Sequence, residues 1–215
     1  MDKFNVVGIG PGSFDYVLPI ALKTIKNSDV LIGGERQLEV FSGIENFSEM
    51  KHIVLKSNYI EVVEYISTNY SQQRISVLVS GDTGFYSLLK FIKRHFEPSQ
   101  FNVVPGISSL QYLFARVGMT WQDACLTSVH GRENEYVKGI KEMGVVGLLT
   151  DLKNSPSKIA ETLIDQGLSD LRMIVGERLS YEDEKITEGT PEEIKAMAFE
   201  SLTVVIVVNH EQSNK

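Results

Sequence analysis

The sequence predicts an α/β fold in two domains, and three observations carry the prediction. Strand-like and helix-like runs alternate through about residue 112. Glycine-bearing turns follow three of the strands, and beyond residue 123 the strands lengthen while the helices thin.

The first domain reads in order as follows. Residues 4–9 form a buried strand, and 19–27 an amphipathic helix with Ile20, Leu22 and Ile25 among its apolar positions. A strand over 29–34 ends in paired glycines. A strand over 52–55, a helix over 59–70 and a strand over 75–79 come next. Residues 85–96 read as a helix whose lysines and Arg94 lie toward its end, where they suit the helix dipole. A strand over 101–104 and a helix over 108–116 complete a mainly parallel sheet covered on both faces. Residues 118–123 read as a connector. Further strands are expected at 125–129, 145–149, 172–175, 183–187 and 203–208. Helices are expected at 133–142, 157–165 and 191–197, the last with Thr190 as N-cap and Pro191 at the first helical position. The expected domains are therefore 1–112, mainly parallel, and 113–215, with a mixed sheet, joined near 113–120.

Composition narrows the function classes. A 42% hydrophobic and 23% charged content, with a mean hydropathy of -0.06, describes an ordinary soluble globular protein. The net charge of -7 and pI near 5.2 argue against a nucleic-acid partner, because such binding rests on clustered Lys and Arg. The single cysteine, Cys125, excludes an intramolecular disulfide framework. His52, His95, His130 and His210 show no metal-ligand spacing, so no metal is expected. No basic leader precedes the first strand, and the longest apolar run, 204–208, is too short to cross a bilayer. A cytoplasmic protein with no membrane partner is the expectation.

The turns Gly8-Ile9-Gly10-Pro11-Gly12, Ser80-Gly81-Asp82-Thr83-Gly84-Phe85-Tyr86 and Val104-Pro105-Gly106-Ile107-Ser108-Ser109 each follow a run of β-formers. Open α/β sheets bind ligands at that edge. Gly8-x-Gly10-x-Gly12 invites a dinucleotide reading, since glycines there let backbone approach a pyrophosphate. The spacing departs from that pattern. Ser13 stands where a third Gly or Ala belongs, Pro11 stiffens the loop, and Asp29 precedes a strand where the acidic residue should end one. Asp82 and Ser108 each read equally well as helix caps. The functional alternative is a nucleoside bracketed by exposed backbone groups and the Phe85 ring.

In this order, Gly-x-Gly-Pro-Gly at 8–12, Ser-Gly-Asp at 80–82 with Phe85-Tyr86, and Val-Pro-Gly-Ile-Ser-Ser at 104–109 resemble the tetrapyrrole methylase family of S-adenosylmethionine-dependent methyltransferases. The resemblance continues through Leu149-Thr150-Asp151, Gly176-Glu177-Arg178-Leu179 and Ser-Leu-Thr-Val-Val at 201–205. One departure is Gly81-Asp82-Thr83, where many relatives have Gly-Asp-Pro. The resemblance implies two α/β domains with the cofactor cleft between them, a homodimer, S-adenosylmethionine as cofactor and S-adenosylhomocysteine as product. It assigns Ser80, Gly81, Asp82, Gly84, Phe85, Ser108, Ser109, Thr150, Asp151, Leu152, Glu177 and Thr203 to the cofactor, and Gly10, Pro11 and Gly12 to a tetrapyrrole substrate.

Ser128-Val129-His130-Gly131-Arg132 is similar to the signature of the branch that methylates C5 of cobalt-precorrin-7, or precorrin-7, in cobalamin biosynthesis. A separate C15-methylating, decarboxylating subunit is then an expected partner. Methyl transfer from a sulfonium is an in-line displacement that needs alignment and exclusion of water, not a metal or a covalent nucleophile. His130 is the candidate to handle the C5 proton, since imidazole titrates near neutral pH, and reads equally as a hydrogen-bond donor to substrate or backbone. Arg132 and Arg36 are candidates for bidentate pairs with substrate carboxylates, although Arg36 reads nearly as well as a solvated residue of a helix over 35–41. Another precorrin or uroporphyrinogen methylase and a non-catalytic tetrapyrrole-binding module are the alternatives. A ribosomal RNA methyltransferase would need a basic surface that this composition lacks.

Overall fold

The computed structural model describes residues 3–129 and 135–209. The chain divides into two compact units, 1–108 and 109–215.

The first unit contains β1 (Phe4–Gly8), α1 (Pro19–Lys26), β2 (Val30–Gly33), α2 (Glu35–Glu39), β3 (Lys51–Val54), α3 (Tyr59–Asn69), β4 (Ile75–Val79), α4 (Leu89–Ile92) and β5 (Phe101–Val104). Its sheet has the order β3-β2-β4-β1-β5, and every pair is parallel. Parallel strands need covered faces, and the two-residue period of the strands supplies both. Phe4, Val6, Val30, Ile32, Val77 and Val79 pack with Val62 and Ile66 of α3 and Ile92 of α4. Val7, Leu31 and Leu78 pack with Ala21 and Ile25 of α1 and Leu38 of α2. Within this apolar stack Ser76 is fully buried, and it is satisfied by Ser28 at 2.7 Å. Because Ser28 donates its own proton to the Thr24 carbonyl, Ser76 is the donor of that pair.

The helix expected over 85–96 is much shorter. Tyr86 adopts a left-handed φ of 48°, which an α-helix cannot contain, and the Leu89 N–H donates to Ser87 Oγ, so α4 starts only there.

The second unit contains α5 (Ser109–Arg116), β6 (Cys125–Ser128), α6 (Glu135–Met143), β7 (Val145–Leu149), α7 (Pro156–Asp165), β8 (Arg172–Glu177), β9 (Lys185–Gly189), α8 (Pro191–Lys195) and β10 (Thr203–Val208). Its sheet has the order β6-β7-β10-β8-β9. β6 and β7 are parallel, and the other pairs are antiparallel. Val146, Leu148, Met173, Val175, Val205 and Val207 form a core with Val137 and Ile140 of α6, Ile159 and Leu163 of α7, and Ile194 of α8. α8 is capped as its sequence predicts: the Glu193 carboxylate accepts the Thr190 N–H at 2.8 Å.

α5 belongs to this unit for a steric reason. Leu110 and Phe114 close over Gly147, and Leu113 closes over Gly176, where strand side chains would leave no room. By its contacts the chain divides after residue 108, which places α5 in the second unit. β8 also runs to Glu177 and not only to 175. The turn that follows is made by Arg178 and Ser180, both left-handed, at φ 46° and 68°.

Candidate ligand-binding site

In the first unit the three glycine turns leave the carboxyl ends of β4, β1 and β5, which are neighbours in the sheet. They meet in a hydrogen-bonded knot. The Gly10 N–H donates to the Gly81 carbonyl at 3.2 Å, and the Gly81 N–H donates back to the Gly10 carbonyl at 2.7 Å. Gly10 and Gly81 have φ of 85° and 68°, conformations that glycine adopts without cost. The third turn packs so closely that a Cβ on Gly106 would lie 2.2 Å from the Gly81 carbonyl oxygen and 2.8 Å from the Gly8 carbonyl carbon. Only bare backbone fits there.

Asp82 ties the knot. One carboxylate oxygen accepts the Gly84 N–H at 2.7 Å, and the other accepts the Gly106 N–H at 3.1 Å. It therefore caps no helix. It holds its own turn in shape and clamps the turn after β5 to it. Gly84 is exposed and Thr83 is buried. The Phe85 and Tyr86 rings meet edge to face at 4.8 Å, and Tyr86 is half exposed. Ser108 is buried at the end of the unit. Pro11 is half-buried and Gly12 is buried.

Ser80 is exposed at the end of β4, where Gln37 donates to its hydroxyl at 2.9 Å. The same amide accepts the Gly34 N–H at 2.7 Å. Gln37 and Ser80 lie on a groove of about 500 Å³ whose other walls include Leu55, Tyr59, Tyr86 and Phe91. Sequence reading missed Gln37. The signal was its place three residues after the paired glycines, where a glutamine can cap the incoming backbone. Arg36, beside it, is exposed on α2. Asp29, considered above as a dinucleotide ligand, is occupied otherwise. Its carboxylate takes the Arg74 side chain at 2.5 and 3.1 Å and the Arg74 N–H at 2.8 Å. Hydrogen bonds from Arg74 hold Asp29 below the usual carboxylate range.

In the second unit the antiparallel register brings Glu177, at the end of β8, opposite Thr203, at the start of β10, and Val204 opposite Leu149 at the end of β7. Thr150 donates to the Thr203 carbonyl at 2.6 Å, and its oxygen lies 2.7 Å from the Thr203 hydroxyl. The Asp151 carboxylate accepts the N–H groups of Lys153 and Asn154 at 2.8 and 2.7 Å. Asn154 in turn donates to the Val129 carbonyl at 3.3 Å, joining this loop to the end of β6. Leu152 is 83% exposed.

Glu177 is buried. One of its oxygens accepts the Glu200 N–H at 3.0 Å; the other has no hydrogen-bond partner, and Lys185 Nζ stands 3.8 Å from it. A hollow of about 480 Å³ beside it is lined by Arg178, Asp183, Lys185, Ala198, Phe199 and Glu200. Glu184, on the turn into β9, is desolvated. Donors from Tyr112, the Ser180 N–H and Arg116 outweigh that burial and hold its carboxyl below the usual glutamate range. Ser109 opens α5. His130 and Arg132 lie outside the described residues.

Among the described residues no group of three His, Cys, Asp or Glu could hold a metal ion, and no helix is long and apolar enough to cross a membrane.

These features have counterparts in known proteins. Residues 3–195 match the sequence model of the Tetrapyrrole (Corrin/Porphyrin) Methylases. The chain is 33% identical over 211 residues to a probable cobalt-precorrin-7 C(5)-methyltransferase of Methanocaldococcus jannaschii, covering 96% of this chain and 98% of that protein. It is 34% identical over 184 residues to the cobalt-precorrin-7 C(5)-methyltransferase of Salmonella typhimurium, covering 85% and 88%. Its fold is similar to that of a uroporphyrin-III C-methyl transferase from Thermus thermophilus complexed with S-adenyl homocysteine, with a TM-score of 0.75 at 16% identity over 96% of this chain and 92% of the other. A glycine knot at the edge of a parallel sheet, a sequence match across most of the chain and a shared fold lead to one conclusion: the chain belongs to the tetrapyrrole methylases.

Proposed function

We propose that this protein transfers a methyl group from S-adenosylmethionine to C5 of cobalt-precorrin-7. The observation that carries the reading is the 33% identity to the Methanocaldococcus jannaschii protein over nearly the full length of both chains. S-adenosylmethionine, when bound, supplies a sulfonium methyl group. The residues present suit such a ligand in two ways. The reciprocal Gly10–Gly81 bonds and the Asp82 clamp preform the turns at the carboxyl edge of the parallel sheet, the edge at which open α/β sheets take ligands. The buried Glu177 oxygen, with Lys185 Nζ no nearer than 3.8 Å, has room to accept a hydrogen bond from a ligand donor.

Ser80, Gly81, Gly84, Phe85 and Ser108 of the first unit, and Ser109, Thr150, Asp151, Leu152, Glu177 and Thr203 of the second, are assigned to the cofactor. Asp82 acts through the loops it clamps. Gly10, Pro11, Gly12, Arg36 and Arg132 are assigned to the tetrapyrrole, the arginines to its carboxylates. In the transfer a C–C bond forms at C5 as the sulfonium S–C bond breaks and becomes a thioether, and C5 then releases a proton. Preformed loops lower the cost of aligning the two reacting atoms. His130 is assigned to accept the C5 proton, so His130→Ala is expected to reduce turnover while leaving cofactor affinity intact. The reading extends to a cytoplasmic homodimer that works with a separate protein for C15 methylation and decarboxylation.

Incubation with labelled S-adenosylmethionine and a panel of precorrins, with mass spectrometry to locate the label, tests the assignment. Label on C5 of cobalt-precorrin-7 is expected. Label at another carbon would move the protein to another branch of the family, and cofactor binding without transfer to any precorrin would leave only a binding module.

A further inference from the structure

We infer that Gln37 is a positioning residue that fixes the hydrogen-bond polarity of Ser80, making its hydroxyl a donor to the bound cofactor. The inference rests on the methyltransferase reading and adds to it a residue outside the recognised motifs.

The argument begins at Gly34. Its N–H donates to Gln37 Oε1 at 2.7 Å, which settles which end of the amide is oxygen. Gln37 Nε2 is then the end that faces Ser80, and it donates to Ser80 Oγ at 2.9 Å. An amide nitrogen has no acceptor capacity, so Ser80 must accept this bond. The serine proton is left for another acceptor. Ser80 is exposed, and both side chains lie on the groove beside the glycine knot. The backbone just after Ser80 is fixed as well, because Gly81 is bonded in both directions to Gly10. Little freedom remains except the direction of one O–H, and Gln37 sets it.

Gln37→Glu is the discriminating change. A glutamate at this position keeps an oxygen for the Gly34 N–H, so the entry into α2 is retained. Its second oxygen cannot donate, so Ser80 turns its proton inward and presents only lone pairs to the groove. Titration calorimetry with S-adenosylhomocysteine on the full chain reads the consequence. Q37E is expected to weaken binding about tenfold, the worth of one good hydrogen bond. KM for S-adenosylmethionine should rise by a similar factor with kcat within about twofold. Thermal stability should stay at the wild-type value. S80A should weaken binding by a similar factor, and adding Q37E to S80A should cost nothing more.

A Q37E penalty that persists in the S80A background would mean that the new charge acts directly, and would overturn the inference. Binding by S80A equal to wild type would overturn it as well, and that arm leaves the Gly34 contact untouched whatever Q37E does to folding. Wild-type protein that does not bind S-adenosylhomocysteine would instead remove the methyltransferase reading itself.

Discussion

The two sheets assemble their candidate site residues by opposite routes. In the first unit every strand runs the same way, so every carboxyl end lies on one edge and the turns after β1, β4 and β5 meet there. In the second, β10 runs against both its neighbours, so Thr203 at a strand start joins Glu177 and Thr150 at strand ends. The parallel edge is built from backbone: glycines, reciprocal N–H to carbonyl bonds, one aspartate clamp. The antiparallel edge is built from side chains with hydroxyls and carboxylates. Backbone assemblies are fixed by chain geometry, whereas side-chain assemblies have rotamers with which to adjust. The two edges should therefore respond differently to substitution.

The largest contrast is expected between two glycine-to-alanine changes. Gly106→Ala puts a Cβ against the Gly81 carbonyl, which cannot move without breaking the bridge to Gly10, and should cost about 3 kcal/mol. Gly147→Ala, within β7, meets the side-chain ends of Leu126, Phe114 and Leu110 and not backbone, and should cost less, about 1 kcal/mol. Urea unfolding of both variants checks this; equal costs would break the comparison.

Next is the aspartate clamp. Asp82→Ala leaves two backbone N–H groups unpaired, for about 2 kcal/mol. S-adenosylhomocysteine affinity should fall with it, because the turns after β4 and β5 would no longer be held together. In the second unit Thr150→Val removes a single hydroxyl donor and should cost about 1 kcal/mol, read by the same unfolding assay.

The smallest effects concern pH. Glu184 and Asp29 both have carboxyl pKa values below their ordinary ones. Each therefore adds stability that is fully present above the unfolded-state pKa of about 4 and is lost as pH falls through the folded value. Glu184 is mostly enclosed, whereas the Asp29–Arg74 pair is largely exposed and screened. Glu184→Gln should remove about 1 kcal/mol near neutral pH and progressively less as pH falls below the unfolded-state pKa, with Asp29→Asn showing a smaller change of the same sign. Unfolding curves recorded between pH 3 and 7 check both. A larger effect from Asp29 would reverse the order.

Much of this arrangement is legible in the sequence because local rules suffice. Short runs rich in β-branched residues such as Ile75-Ser76-Val77-Leu78-Val79 read as buried strands, and Thr190-Pro191 with Glu193 writes its own helix start. The missed features depend on partners far away in the chain. The helix over 85–96 looks sound by composition, yet Tyr86 is held left-handed and Ser87 starts the helix late. Asp82 reads as a cap because its second partner, Gly106, is 24 residues away. Gln37 is marked in sequence only by its spacing from the paired glycines, and its second partner, Ser80, is 43 residues on.

By itself, then, the sequence determined the alternation of elements, the glycine turns and the family they resemble, because periodicity and backbone permissiveness are properties of short segments. Only the tertiary structure decided that the three turns are one hydrogen-bonded knot, that Asp82 clamps two of them, that α5 packs with the second sheet and that Gln37 sets the Ser80 hydroxyl. Each of these is a contact between residues distant in sequence, and strand order and register, not local preference, choose which distant residues meet.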